Sequence, residues 1–598
     1  YLSSIQKDLH NVLWGGGGTD DNEIFSSLVN LILAKIQDEG EKEDGEQYEF
    51  QSLTYEKDGD ENFESNEELF NRINKLYRKA LKERMNITDN NEINKSYVID
   101  TKKFSLSKLK YSVQQIEHLS FVDGKNSLNG KDILGDFFEG IIRDGFKQTK
   151  GQFFTPINIV KFMLWGLSLD KLAIHKAKCE KRLPYMIDPS AGSGTFCIEY
   201  MKFITHIMKY TNTDNGKYNK ALGNSRDVKD KVESDWFYPD NRENKWAKDY
   251  IYATEINFNL GTATKVNMIL HGDGSTNIFV KDGLLPFSEY KKTQEPNVLK
   301  YQNEDSNYRE QNKSIEVNGK FDVILSNPPF SVDLDNDTKN KVFKYFLFGD
   351  KKNSENLFIE RYYQLLGEKG RLAVVLPESI FDTIDNKYIR LFIFKYFNIK
   401  AVISLPRLTF APYTSTKTSI LFAQKKTKEE IENWKNLWNK ISNEYSKIRR
   451  RVDNIIKVFD GKKEKVSLHS IKNLTEDEER ELLVKILKNY YHKNDINLSK
   501  NEIIEKYKEE ILELCKDGNK TKDISNFAST WWIFGEVAKE LNYNIFMAEV
   551  DEVGYKRSVR NEQIRPNELF RTDENKNIIV DDGKKETVLD YMREIEWE

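Results

Sequence analysis

Asp188-Pro189-Ser190-Ala191-Gly192-Ser193-Gly194-Thr195-Phe196 constrains this chain more than any other stretch. Tyr185-Met186-Ile187 ahead of it reads as a short apolar strand, and Cys197 to Ile204 behind it reads as the start of an amphipathic helix. An acid at a strand end, a small-residue turn and a helix together make a cradle for a nucleotide-like ligand. Glycines lack Cβ, so the backbone can approach a ligand closely and take positive φ where the turn needs it. Asp188, Ser190, Gly192, Gly194, Thr195 and Phe196 are the candidate contacts. The pattern is not the dinucleotide fingerprint, because Cys197 stands where a third glycine belongs, and no Gly-Lys-Ser/Thr follows to make a P-loop. On its own the turn also suits an ordinary strand-to-helix connection.

A chain of 598 residues implies about two to four domains. With 38% hydrophobic and 31% charged residues it reads as globular and rich in surface charge, and no apolar run is long enough to cross a membrane. The start at Tyr1 rather than Met, and the abrupt end at Glu598, lead us to expect a piece of a longer product. A net charge of -4 argues against a uniformly basic nucleic-acid binder, although a local cationic cleft is enough for phosphate contacts. Cys179, Cys197 and Cys515 have no metal-ligand spacing, so no metal site is expected, and so few cysteines suit a reducing cytoplasm. None follows proline, which excludes a Pro-Cys nucleophile, and the paired-cysteine deaminase signature is missing.

Along the chain, residues 1–145 read as a mainly helical domain. The run Gly15 to Gly18 is a linker, and Asp20-Asp21-Asn22 offers an N-cap to a helix from Glu23 to Gln37 with Ile24, Leu28, Leu31, Ile32 and Ile36 on one face. Residues 38–66 read as an acidic, solvated surface loop, and further helices are expected over Leu69 to Met85 and Asp132 to Phe146. Thr155-Pro156 starts a helix from Ile157 to Leu169. Residues 211–248 read as a long surface insertion. Tyr250 to Thr254 is a second strand, and Glu255 at its end suits a ribose diol, since a carboxylate can accept two hydroxyl hydrogen bonds. A helix from Phe258 to Ile269 leads to Asp273, and residues 286–318 form another polar excursion. Phe321 to Ser326 is a strand that delivers Asn327-Pro328-Pro329-Phe330 to its carboxyl end, and Arg371 to Pro377, Ala401 to Pro406 and Ser419 to Ala423 are three more. Strands alternating with helices make an α/β fold with a mostly parallel sheet covered on both faces.

Three stretches in fixed order, Gly151-Gln152-Phe153-Phe154-Thr155-Pro156, the central turn and Asn327-Pro328-Pro329-Phe330, resemble the amino-group DNA methyltransferases. The nearest resemblance is to the modification subunit of Type I restriction-modification systems and their single-chain relatives, over about residues 120–425. It implies a Rossmann-like methyltransferase sheet flanked by N-terminal and C-terminal helical regions, with S-adenosyl-L-methionine as cofactor. It also implies that Gln152, Phe153, Thr155 and Pro156 close over the methionine end of that cofactor, that Asp273 accepts the adenine amino group, and that Phe410 to Thr418 lies beside a flipped base. The implied partners are double-stranded DNA, a specificity subunit or fused target-recognition domain, and a restriction subunit.

The chemistry such a motif serves is demanding, because the lone pair of an exocyclic adenine amine is delocalised into the ring. The Asn327 side-chain carbonyl and the Pro328 backbone carbonyl can each accept one N6–H hydrogen bond, pulling the nitrogen toward tetrahedral geometry. Pro328 and Pro329 stiffen the loop, and Phe330 offers a face on which an extruded base can stack. The expected activity is site-specific adenine-N6 methylation of DNA in a restriction-modification or phage-defence system. Cytosine N4, RNA or protein glutamine as substrate, and a non-catalytic DNA-binding or partner-binding scaffold, stay open as alternatives. The expected organisation is a helical domain over 1–145, a catalytic domain over 146–425 and a Lys/Glu-rich helical region over 426–598. In the last of these, Ile431, Trp434, Trp438, Ile441, Tyr445, Ile448, Val452, Ile455 and Phe459 form a heptad-like seam, open to packing within the chain or against a partner. Lys447, Arg449, Arg450 and Arg451 form a basic cluster, and Asn544 to Val550 with Gly554-Tyr555 resembles the family's late segment.

Overall fold

The computed structural model describes residues 8–9, 12, 21–43, 45–57, 59–85, 87–121, 138, 154–213, 218–223, 225–237, 244–271, 277–290, 298–304, 315–351, 353–462, 474–516, 524–557 and 562–597. The glycine run at 15–18, nearly all of the expected helix over 132–146, Gln152, Phe153 and Asp273 lie outside them.

The N-terminal part is built on helices α1 (Asp21–Glu41), α2 (Asn66–Glu83) and α3 (Leu106–Ile116). Helix α2 begins on a capping box, in which the Ser65 side chain accepts from the Glu68 amide and Glu68 reaches back to the Ser65 amide. Its Leu69, Ile73, Leu76, Tyr77 and Ala80 recur at three- and four-residue spacing and are buried. The described residues of 38–66 are largely exposed, as their acidity suggests, but they are more ordered than a loop. Helix α1 runs on to Glu41, buried Asp38 accepts from the Phe50 amide (2.7 Å), and strands β1 (Thr54–Lys57) and β2 (Asp60–Phe63) form a hairpin. Anchoring by Phe50, which is itself buried, outweighs the local polarity.

Among the described residues eight strands form the central sheet: β3 (Met186–Asp188), β4 (Ile251–Thr254), β5 (Ile278–Phe279), β6 (Phe321–Ser326), β7 (Leu366–Pro377), β8 (Phe397–Ser404), β9 (Thr418–Lys425) and β10 (Phe546–Glu549). Their order is β10-β8-β9-β7-β6-β3-β4-β5, and every neighbouring pair is parallel except the two that involve β9. Strands β4 and β5 lie to one side of β3 while β6 lies to the other, so the winding reverses between β3 and β6 and opens a crevice at their carboxyl ends.

The polar stretches either side of the strands contribute anchoring residues to the core. The expected helix over 157–169 divides into α4 (Ile157–Gly166) and α5 (Leu169–Glu180) at Ser168, whose φ is 50°. After α6 (Thr195–Thr205), the described residues of 211–248 are not only a surface insertion: polar positions stay exposed, but Leu222, Val228, Val232, Trp236, Phe237 and Trp246 are buried against α6 and its neighbours. The excursion over 286–318 likewise buries Leu299, Ile315 and Val317, with Asn303–Glu304 paired to Glu316–Val317. Helix α7 (Phe258–Leu270) joins the two halves, since its Leu260, Ala263, Val266 and Ile269 complete the core of the N-terminal helices.

Beyond the sheet, α8 (Ser354–Leu365) and α9 (Lys387–Tyr396) cover one face. The heptad-like seam belongs to α10 (Lys428–Phe459) and packs within the chain, against α11 (Glu476–Ile486), α12 (Lys508–Cys515) and α13 (Ala528–Leu541). Of the basic cluster, Arg449 donates to the Cys515 carbonyl and Arg450 to the Ser446 carbonyl. The stretch after α13, expected to be helical within 426–598, holds strands and only one short helix, Val588–Met592, among its described residues. Strand β10 enters the central sheet, β11 (Val553–Arg557) pairs with β12 (Glu562–Asn567), and Leu569, Phe570, Leu589, Met592 and Trp597 pack into the same core as α4 and α6. Arg593 grips Asp170 of α5 with two 2.8 Å bonds and also holds Asp581 (2.7 Å).

Two substitutions test this packing. Trp246→Ala removes a fully buried ring whose Nε1 donates to Thr205 Oγ1 (2.9 Å), so it lowers stability by about 3–5 kcal/mol in chemical denaturation, whereas a surface insertion would shift it by less than about 0.5 kcal/mol. Gly194→Ala places a Cβ 2.5 Å from Thr264 Cγ2 at a φ of 80°, so it forces α6 and α7 apart and lowers the melting temperature.

Candidate active site

The carboxyl ends of β3, β4, β5 and β6 meet in one cleft, and the turn after β3 forms its floor. Asp188 is fully buried; its Oδ1 accepts from the Ser190 amide (3.0 Å) and the Ser326 hydroxyl (2.8 Å), while Oδ2 is buried without a hydrogen-bond partner. Ser190 Oγ lies 2.9 Å from Ser326 Oγ and reaches the Asn327 carbonyl at 3.4 Å, so the central turn and the Asn327-Pro328-Pro329-Phe330 loop are tied across the point where the winding reverses. Gly192 has a φ of 55°, and a Cβ there would meet nothing within 4 Å, so its backbone faces open space. Its amide donates to Glu255 Oε2 (2.9 Å) and its carbonyl accepts from Thr264 Oγ1 (2.8 Å).

Glu255 follows β4 and also accepts from the Asn257 amide (2.8 Å). Burial pushes its carboxyl up to about 7, against the lowering effect of the Asn257 and Gly192 amides. Burial likewise raises Asp188 to about 7, against the Ser190 amide and Ser326 hydroxyl, with the negative charge of Glu255 adding to the rise.

The loop after β6 is clamped on both sides. Asn327 Nδ2 donates to Thr155 Oγ1 (3.2 Å), which orients the amide, and Asn327 Oδ1 is buried with no partner. Ser354 Oγ of α8 donates to the Pro329 carbonyl (3.1 Å), and Glu355 Oε2 accepts from the Ser331 amide (3.1 Å), holding Ser331 at a φ of 53°. Pro156 is the N-cap of α4, which sets Thr155 over the loop.

Asp188, Ser190, Gly192, Glu255, Asn327, Pro328, Pro329 and Thr155 therefore come together. Thr195 and Phe196 do not line the cleft: Thr195 Oγ1 lies 3.0 Å from Ser193 Oγ, and Phe196 packs in the core behind the turn. Phe330 is also a correction. Only 7% exposed, it sits in the core with α4 and α6 rather than offering an open face, because the bonds at Pro329 and Ser331 turn it inward. The half-buried rings beside Thr155 are Phe154 and Tyr413, which meet edge to face with centroids 6.4 Å apart.

Two cleft residues escape a reading of the sequence. Ile256, after Glu255, is 61% exposed and lines the cleft. Asp282 lies just beyond β5, where its carboxylate accepts from the Leu284 amide (2.9 Å), and it lines the same cleft as Asn327. Gly283 beside it leaves no room for a side chain, since a Cβ would stand 2.0 Å from the Pro189 carbonyl. The signal was the Asp282-Gly283 turn after an apolar pair, obscured because β5 is so short. Among the described residues, no group of three or more His, Cys, Asp or Glu is placed to hold a metal ion.

The chain is 23% identical over 319 residues to the Type I restriction enzyme EcoEI methylase subunit of Escherichia coli, covering 52% of this chain and 50% of that protein. It is 25% identical over 310 residues to the Type II restriction enzyme and methyltransferase RM.BcgI of Heyndrickxia coagulans, covering 51% of this chain and 36% of that one. The chain thus spans half or less of the length of these two relatives. Among solved structures, the type I restriction-modification system methyltransferase subunit of Streptococcus thermophilus superposes with a TM-score of 0.40 at 18% identity, covering 71% of this chain and 85% of that one. The N-6 DNA Methylase family model matches residues 129–511. With that match taking in more than half of its length, and with the cleft built from the same stretch, the chain belongs to the N-6 DNA methylase family.

Proposed function

We propose that this chain transfers a methyl group from S-adenosyl-L-methionine to the exocyclic N6 of an adenine extruded from double-stranded DNA, as the modification component of a restriction-modification system. The observation that carries the reading is Asn327, whose amide nitrogen is held by Thr155 while its carbonyl oxygen is buried and unpaired at the mouth of a cleft lined by Glu255 and Asp282. A buried acceptor without a donor costs roughly 1–3 kcal/mol, so the site is organised for a hydrogen-bond donor that arrives with the substrate.

The residues present fit the cofactor. The open backbone at Gly192 admits a ligand, Glu255 keeps acceptor capacity for a ribose diol, Ile256 offers an apolar face to adenine, and Asp282 can accept the cofactor's adenine amino hydrogen in the role first expected of Asp273. S-adenosyl-L-methionine supplies a methyl group on a sulfonium, whose carbon–sulfur bond is the one broken. Asn327 Oδ1 and the Pro328 carbonyl accept the two N6–H bonds of the target adenine and direct its lone pair at that methyl. As the nitrogen–carbon bond forms, the same two acceptors stabilise the positive charge growing on N6, which then sheds a proton to solvent. Tyr413, paired with Phe154, takes the stacking role that the burial of Phe330 denies it. Sequence specificity is assigned to a target-recognition subunit or domain, since chemistry at Asn327 reads only the extruded base.

Methyl transfer from labelled cofactor to mixed-sequence duplex DNA, followed by digestion to nucleosides, should yield N6-methyladenine; N4-methylcytosine would overturn the base assignment. Asn327→Ala should lower transfer by about a hundred- to a thousandfold with cofactor affinity unchanged, as measured by calorimetry. Asp282→Asn should instead weaken cofactor binding.

The raised carboxyls give a pH signature. Each holds its proton more tightly folded than unfolded, so their contribution to stability is fully present below about pH 4 and is lost as pH rises through about 7. Cofactor binding runs the other way, because Glu255 is the stronger acceptor when ionised. With its carboxyl near 7, the ionised fraction climbs from about a tenth at pH 6 to about nine tenths at pH 8, so affinity should rise roughly ninefold over that range. Glu255→Gln should flatten this dependence; an unchanged profile would remove Glu255 from the cofactor site.

A further inference from the structure

The hairpin of β11 and β12 has no part in the chemistry derived above, and its exposure is unusual. Glu562, Gln563, Ile564, Arg565 and Pro566 are all exposed, so β12 packs on nothing with either face, and Ile564 reaches 95% exposure. A two-stranded ribbon of this kind is marginal in water and depends on what holds its base. Tyr555 is buried and donates to the Thr409 carbonyl (3.0 Å), and Asn158 Nδ2 donates to the Val553 carbonyl (3.1 Å). Both anchors lie on segments that neighbour the candidate site in sequence. Thr409 leads into the loop whose Tyr413 meets Phe154, and Asn158 lies in the first turn of α4, just past the Thr155 that orients Asn327.

Charge points to the occupant. Residues 553–567 carry Lys556, Arg557, Arg560 and Arg565 against the single acid Glu562, in a chain whose net charge is -4. Glu562 is paired with Arg557, and the exposed side chains of Lys556 and Arg565 present positive charge to solvent.

We propose that this hairpin is a DNA-contacting arm that enters the major groove of the duplex flanking the extruded base, with Lys556 and Arg565 on phosphates and Ile564 against base edges. The proposal rests on the methyl-transfer reading for its placement beside a target base. The major groove is wide enough for a two-stranded ribbon, and an apolar side chain has a partner there in the thymine methyl group. Strand β12, exposed from Glu562 to Pro566, can meet bases with one face while the cations beside it reach the backbone.

The test uses the full chain and a fluorescent mixed-sequence duplex, with affinity measured by anisotropy across a salt series. Removing two phosphate contacts in Lys556→Ala/Arg565→Ala should make the slope of log affinity against log salt shallower by about two and weaken binding about tenfold or more. Ile564→Ser should weaken binding about fivefold with the slope unchanged. Cofactor affinity should stay the same in both variants, which reports an intact cleft. Affinities and slopes equal to those of the unaltered chain would overturn the proposal, as would an unaltered chain that fails to bind duplex at low ionic strength. If the variants lose DNA binding while the unaltered chain transfers no methyl group, the arm stands and the transfer reading falls. If the chain methylates DNA and the variants bind as before, the reverse holds.

Discussion

Asp188 sits at the point on which the whole site depends. It is fully buried at the end of β3, where the sheet reverses its winding, and its Oδ1 holds both the Ser190 amide of its own turn and the Ser326 hydroxyl at the end of β6. Through Ser190 and Ser326, the glycine turn and the Asn327 loop are fixed relative to each other by hydrogen bonds rather than by packing alone. The proposed methyl transfer needs donor and acceptor atoms held in line within a narrow tolerance, and a polar tie at this crossing fixes the two loops relative to each other. Burial of that carboxylate, and of Glu255 beside it, is a standing cost that the fold offsets elsewhere, and it leaves both groups near neutrality in affinity for protons.

The surrounding elements serve this crossing from several directions. Helix α7 carries Thr264 against the glycine turn on one side and completes the N-terminal helical core on the other, so the cradle and the N-terminal helices share one packing unit. Ser354 and Glu355 at the start of α8 clamp the Asn327 loop from beneath. The chain's last stretch returns across the helical block to add β10 to the sheet and to grip α5 through Arg593. Residues far apart in sequence thus pack around the same sheet, and the base of the β11–β12 hairpin is bonded to Thr409 and to Asn158 of α4.

Local signals were strong where a pattern is repeated or chemically unusual. The apolar strands, the cap and periodicity of α2, and the Asn327-Pro328-Pro329-Phe330 loop at a strand end could all be read from neighbouring residues. Polar composition misled where a few large side chains anchor a stretch. Trp236, Phe237 and Trp246 anchor the described part of 211–248 in the core despite the charges around them, and Phe50 anchors 38–66 in the N-terminal core. Asp282 was missed because two residues of strand are too few to show alternation, and Phe330 was misread because its burial comes from bonds made by α8, more than twenty residues away in sequence.

The amino-acid sequence by itself determined the class of fold, the glycine turn and the acceptor loop, because each depends on the chemistry of residues adjacent in the chain: backbone freedom at glycine, rigidity at proline, alternation of apolar side chains. Which carboxylates face the cleft, which aromatic rings stay open to a base, whether the long helical seam packs inside the chain, and where the last strands go were decided only by tertiary structure. Those outcomes follow from burial and from hydrogen bonds between distant segments, and no local pattern encodes the partner that a buried side chain will meet.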